Sequence, residues 1–232
     1  MTGSKKKNIL IISPHPDDET LGCGGTLLRH KMEGDQIDWV IVTEMHSKAG
    51  FSPSRVEQRE REIEKVANAF QFHKVHRLGF PTTNLEEIPR REIVQAMSNV
   101  FQICSPQIIY LPFPGDIHTD HRMVFESAMA CCKWFRQPGI ERILVYEVLS
   151  ETELSPNTLN GGFQPNIFIE ITPFLDEKIR ILNLFQGEVS EFPFPRSEVG
   201  VRALASFRGL SAGVNSAEAF VMIKEVLTNG KL

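Results

Sequence analysis

Residues 8 to 19 run Asn8-Ile9-Leu10-Ile11-Ile12-Ser13-Pro14-His15-Pro16-Asp17-Asp18-Glu19, an unbroken apolar stretch that meets a proline and opens into a turn dense in carboxylates. A run without polar alternation is what a strand buried on both faces of a parallel sheet requires. Behind it, Leu21, Leu27, Leu28 and Met32 predict a helix over about 20–33, stopped by Gly34. The alternation then repeats. Strands are expected over 37–43, 75–78, 107–111 and 142–148, and helices over about 54–70, 90–103 and 120–135. Strands and helices at this spacing imply right-handed βαβ units, hence an α/β fold with a Rossmann-like, doubly wound, mainly parallel sheet over residues 1–150. Beyond residue 150 the pattern thins into a polar loop over 151–165, a strand at 167–171 and a helix at 173–185. The turn Phe192-Pro193-Phe194-Pro195 and a helix near 199–207 follow. Residues 151–232 therefore read as a small C-terminal α+β extension, and we take 1–232 as a single domain.

The 232 residues are 41% hydrophobic and 23% charged, enough to bury a large core without staples. A net charge of −4 provides no general field for nucleic acid or anionic lipid, and Lys5-Lys6-Lys7 reads as a solvated tail. No apolar run approaches the roughly 20 residues of a membrane span, and Lys5 to Lys7 lead into too few apolar residues for a secretory signal. Cys23, Cys104, Cys131 and Cys132 form no C-x-x-C. That usage suits buried thiols in a reducing compartment better than a disulfide framework or Cys-ligated zinc. The expectation is a cytoplasmic protein with no nucleic-acid or membrane partner. Nothing in the pattern decides between a monomer and a homo-oligomer.

Two clusters of metal-type residues follow two strands. His15, Asp17, Asp18 and Glu19 come after the first, and Asp116, His118, Asp120 and His121 after the fourth. In open α/β sheets such strand ends meet at the point where strand order reverses, and ligands bind there. A catalytic zinc needs three protein ligands and a fourth position for water. His15 and Asp18 can turn toward one point because Pro14 and Pro16 hold the turn tight, and His121 could supply the third ligand. Asp17 is then an unligated carboxylate placed to act as general base. His118, three residues before His121, could steady an oxyanion or protonate a leaving nitrogen as an imidazolium, with Asp120 orienting it.

The string from Pro14 to Thr26, with Gly22-Cys23-Gly24-Gly25 near its end, closely resembles the N-terminal signature of the LmbE-like, or PIG-L, zinc deacetylases. His118-Thr119-Asp120-His121 looks like the second motif of that family, whose members deacetylate N-acetylglucosaminyl lipids, thiol conjugates, oligosaccharides or antibiotics. The resemblance implies one Zn2+ per chain, replaceable by other divalent metals, on His15, Asp18 and His121. It implies Asp17 as base, His118 with Asp120 as a charge-stabilising pair, and a small amino-sugar conjugate as substrate. Arg59-Glu60-Arg61-Glu62 matches the family's R-x-x-E, with Arg59 expected at the substrate, and Ala217-Glu218-Ala219-Phe220 resembles a further family pattern. Two departures stand out. Ser216 replaces a frequent Tyr, and Phe80-Pro81-Thr82-Thr83-Asn84 lacks a frequent acid.

Plainer readings compete with each of these. Asp17 and Asp120 are also N-cap residue types, and Arg59 lies in a charged helix where a solvated ion-pair face is the default. Glu218 has no assigned task. His30, His46, His73 and His76 are expected as core or capping histidines, with His46 a candidate for the site rim. The glycines at 22, 24 and 25 do not form a dinucleotide fingerprint, because carboxylates fill the turn where phosphate would sit; close packing on the sheet explains them better. Two other functions use the same residue types. A metal-dependent phosphoesterase would need more ligands than these motifs supply, and a non-catalytic sugar- or metal-binding module would have no use for Asp17.

Overall fold

The structure is a computed structural model and describes residues 6–47, 50–156 and 162–227. Lys5 and residues 157–161 of the expected polar loop lie outside the described residues. Strand β1 (Asn8–Ser13) is central in a seven-stranded sheet of order β3-β2-β1-β4-β5-β7-β6. Its neighbours are β2 (Gln36–Glu44) and β4 (Ile108–Pro112), both parallel to it. Strand β3 (Lys74–Pro81) extends one side and β5 (Arg142–Tyr146) the other, again in parallel. The chain moves outward from β1 to β3 and then restarts at β4, so the reversal lies between β1 and β4, as the alternation predicts.

Alternate residues of β1 enter two different cores, which is why the run has no polar face. Ile9 and Ile11 pack with Leu27, Trp39, Val66 and Phe70, whereas Leu10 and Ile12 pack with Val40, Met97, Phe101 and Val124. Helices α1 (Asp18–Glu33) and α2 (Pro53–Phe70) cover the first face. Helices α3 (Arg90–Cys104) and α4 (Thr119–Cys131) cover the second. Local chemistry sets the ends. Gly34, at φ 79°, closes α1 with its N–H on the His30 and Lys31 carbonyls. Ser52 accepts the Arg55 N–H ahead of α2, with Pro53 in its first turn.

The C-terminal part differs most from expectation. A short 3₁₀ turn, Thr172–Phe174, precedes α5 (Leu175–Leu182), and α6 (Glu198–Ala212) runs five residues past its expected end. Strand β7 (Ala217–Glu225) has no counterpart in the sequence expectations. It inserts antiparallel between β5 and β6 (Ile167–Glu170), so the extension completes the main sheet. Helix α4 stops at Cys131, leaving Trp134 and Phe135 exposed beyond it.

Glu218 explains why β7 is hard to read. A carboxylate interrupts the apolar pattern, yet it is buried and paired with Lys178 of α5 at 2.7 Å. It also accepts the backbone N–H groups of Gly25 and Thr26, at 2.8 Å each, while Lys178 donates to the Leu21 carbonyl. The ion pair thus clasps one turn of α1 from the side. The glycines there make room: a Cβ on Gly25 would lie 2.5 Å from the Ile171 side chain. Among the described residues no helix is long and apolar enough to cross a membrane. All four cysteines are free and buried.

Candidate metal centre and active site

The turn after β1 and the start of α4 meet across the β1–β4 reversal. Asp18 Oδ2 lies 3.4 Å from His15 Nδ1 and 3.5 Å from His121 Nε2. Ligands on a tetrahedral zinc with bonds of about 2.0–2.1 Å stand about 3.3–3.4 Å apart, so the spacing suits such an ion. Each imidazole is oriented from behind by a carboxylate. His15 Nε2 is 3.0 Å from Asp120 Oδ2, and His121 Nδ1 is 2.7 Å from Asp116 Oδ2. With protons on those outer nitrogens, His15 Nδ1 and His121 Nε2 are left as lone pairs facing Asp18.

His121 Nε2 is buried and has no hydrogen-bond partner among the described residues. A buried polar atom without a partner is costly, and here it points where a cation would sit. The titration behaviour agrees. Burial works against a charged His15, but Asp120 and Asp18 outweigh it and raise the imidazole to about 10. Burial is likewise outweighed at His121, which Asp18 and Asp116 push upward. Both shifts mark a place that favours positive charge. The residues fit a divalent metal.

Asp17 stands beside this cluster and outside it. Its backbone begins α1, yet its carboxylate makes no cap hydrogen bond and instead accepts from Arg196 Nη1 at 2.7 Å. Asp17 has φ 131°, outside the regions open to most residues, a strain of about 1–3 kcal/mol of the kind that collects at functional sites. Glu19 holds that conformation by accepting the Asp17 N–H at 3.1 Å. Burial raises the Asp17 carboxyl to about 7, with Arg196 pulling the other way.

The second motif differs from expectation in where the Asp120 carboxylate points. His118 is the N-cap of α4, and its Nδ1 accepts the Asp120 N–H at 3.2 Å, so its proton resides on Nε2. Burial, reinforced by the neighbouring His15, lowers His118 to about 4. The Asp120 carboxylate turns away from the task of orienting His118. It accepts the Thr83 N–H at 2.9 Å and the Leu85 N–H at 3.3 Å as well as facing His15. The loop after β3, where the sequence lacks the frequent acid, thus supplies backbone donors that anchor Asp120.

A cavity of ≈ 230 Å³ opens in front of these groups, bordered by His15, Asp17, Arg59, Thr83, His118 and Arg196. Arg59 is 4% exposed, donates to the Pro16 carbonyl at 2.9 Å and pairs with Glu188. It is therefore no part of a solvated helix face. Glu188 and Glu151 each stand 3.3 Å from Arg196, linking the cavity wall to the 151–196 region. Arg196, Glu188 and Glu151 were not singled out from sequence, and Asp116 was named in the second cluster without a role. Asp116 had a signal, since it lies in the same string as His118 and His121. Arg196 and Glu188 had none, because only folding brings them near residue 17. His46 puts its Nε2 3.2 Å from the Gly79 carbonyl and does not line the cavity. Glu218 is committed to α1 and lies outside it too.

Residues 10–132 match the PIG-L family, described as GlcNAc-PI de-N-acetylase. The chain belongs to the PIG-L family. The match takes in both metal-type motifs and the helix bearing Arg59. One relative is the diacetylchitobiose deacetylase of Thermococcus kodakarensis, 24% identical over 91% of this chain and 81% of that protein. Relatives of this PIG-L chain are deacetylases, that is, amide hydrolases. Among solved structures, the conserved protein TT1542 of Thermus thermophilus aligns with a TM-score of 0.71 at 26% identity, over 97% of this chain and 99% of that one. GalB, a 4-carboxy-2-hydroxymuconate hydratase of Pseudomonas putida, aligns with a TM-score of 0.74 at 16% identity, over 97% and 100%. The fold therefore carries more than one named activity, and the reaction must be argued from the site.

Proposed function

We propose that this PIG-L chain is a zinc-dependent N-deacetylase that hydrolyses the acetamide of an N-acetylglucosamine-type amino-sugar conjugate. The observation that carries the reading is the unpartnered His121 Nε2, converging with His15 and Asp18 beside a carboxylate, Asp17, that neither joins them nor caps its helix. His15, Asp18 and His121 would hold one zinc per chain. Such an ion supplies a water of lowered pKa and polarises the amide carbonyl. Asp17 takes a proton from the attacking water and passes it toward the leaving nitrogen, its position set by Arg196 and by its own strained backbone. His118 offers a neutral Nε2–H to the developing oxyanion. Asp120 is a positioning residue acting through His15, and Arg59 is assigned to polar groups of the substrate from the cavity wall.

We treat residues 1–232 as one catalytic unit, since Arg196 from the C-terminal part reaches Asp17 in the N-terminal turn. A cytoplasmic, reducing setting belongs to the same reading and is supported by the four buried free thiols.

The deciding experiment measures acetate release from N,N'-diacetylchitobiose and a panel of N-acetylglucosamine conjugates by zinc-loaded and metal-stripped protein, with p-nitrophenyl phosphate alongside. Zinc-dependent acetate release is expected. Phosphate release without acetate would replace the reading by a phosphoesterase, and neither product would leave a binding module. The conjugates should exceed free N-acetylglucosamine in kcat/KM by about tenfold or more, because remote binding energy improves the chemical step. Equal values would remove the recognised aglycone.

Metal binding gives a separate check. His15→Ala and His121→Ala are expected to leave purified protein without zinc at the active site. Asp116→Ala should weaken zinc by about 10–100-fold through loss of the His121 Nδ1 acceptor. Competition with a chromogenic chelator reads both, and unchanged affinity in Asp116→Ala would show that His121 is oriented by its packing alone.

A further inference from the structure

At the opposite end of β2 and β3 from the cavity, three metal-type side chains from three elements converge. They are Asp38 of β2, His76 of β3 and Cys104, the last residue of α3. All three are buried, and their ligand atoms lie within 4.8 Å of one another. Cys104 Sγ is 3.3 Å from His76 Nε2, which is 3.9 Å from Asp38 Oδ1. Thiolate and imidazole ligands on a tetrahedral zinc, with bonds of about 2.3 and 2.0–2.1 Å, stand about 3.5–3.6 Å apart. The Cys104–His76 pair is close to that spacing, and the His76–Asp38 separation of 3.9 Å would have to shorten to the about 3.3–3.4 Å of imidazole and carboxylate ligands. His73, on the approach to β3, places Nδ1 2.9 Å from the same Asp38 oxygen from a half-exposed position.

These side chains break the pattern around them. Strand β2 is buried from Ile37 to Thr43, and Asp38 points into the same core as Val40 and Val42. The buried carboxylate meets His73 on its outer side, and on its inner side it faces His76 and Cys104, donors that a borderline-soft cation selects. One neighbour opposes. Lys74 acts on both His76 and Cys104 with like charge to an incoming cation.

We propose that Asp38, His76 and Cys104 form a second binding site for a divalent transition metal of the zinc class, with the fourth position turned toward His73. Asp38 and Glu44, which ends β2 at the cavity, are six residues apart on one strand, so the site is about 20 Å from the catalytic cluster. Its role is structural. It ties α3 to the outer strands β2 and β3 where the sheet nears its edge. On binding, the Cys104 S–H bond breaks, its proton passes to solvent, and the thiolate forms the bond to the metal.

Cobalt(II) titration of the metal-stripped full chain tests this, because the catalytic cluster contains no sulfur. Two equivalents are expected to bind, with a near-ultraviolet thiolate-to-cobalt charge-transfer band. That band should survive in His121→Ala, where binding falls to one equivalent. It should vanish in Cys104→Ser, which keeps one equivalent and its acetate release. A wild-type protein that binds one equivalent with no thiolate band overturns the proposal, whether or not the variants fold. A band that persists in Cys104→Ser also overturns it, by assigning the sulfur to another cysteine.

Discussion

Asp17→Asn is expected to bind zinc at the proposed site as the parent chain does and to lose about 10²–10⁴ of its turnover. The substitution preserves size and shape, so asparagine meets the same backbone demand at φ 131° that Asp17 does. The three candidate ligands are untouched, because Asp17 makes none of the contacts that join His15, Asp18 and His121. What disappears is a buried carboxylate, set near neutral pH by burial and by Arg196, that can accept a proton from water. Arg196 remains held by Glu151 and Glu188, so the cavity wall should keep its shape. Metal content by elemental analysis and kcat from acetate release are the two readouts. A variant that emerged without zinc would exchange the roles of Asp17 and Asp18. One that kept full turnover would move the base elsewhere on the wall, with Glu188 and Glu151 the next carboxylates to examine.

Glu218→Ala should destabilise the fold by about 3–5 kcal/mol without touching the metal site. Removing the carboxylate leaves the buried Lys178 ammonium without its ion pair and takes away the acceptor of two N–H groups in α1. An unpaired buried charge carries most of that cost, and lost N–H acceptors add to it. The remaining Lys178 contact, to the Leu21 carbonyl, cannot compensate a charge. Urea unfolding of the metal-free chain, followed by circular dichroism, measures the difference. In Glu218→Leu/Lys178→Met the loss should be smaller than the sum of the two single losses, because no lone charge is left inside. Additive losses would mean the pair is not coupled. A fall in zinc affinity in Glu218→Ala would show that the clasp on α1 also positions the Asp17–Asp18 turn.

Much of this molecule was legible along the chain. The apolar run at 8–13, the glycine stop at 34 and the repeated strand–helix spacing determined a parallel α/β sheet, because burial on both faces and helix capping are local demands written residue by residue. The strand-end position of His15, Asp18, His118 and His121 followed from the same spacing, since the reversal between β1 and β4 is a property of connection order. Tertiary structure alone decided the rest. Strand β7 holds a buried Glu218 that is neutralised by Lys178, 40 residues away in sequence, and an isolated carboxylate in an apolar run looks like an argument against a strand. Asp120 serves His15 instead of His118 because the Thr83 and Leu85 amides arrive from another loop to hold its carboxylate. Arg196 reaches Asp17 across 179 positions. Asp38, His76 and Cys104 are likewise ordinary until the sheet and α3 bring them together. Pairing of buried charge is a non-local condition: its energy depends on which distant group arrives, and no window of sequence contains both partners.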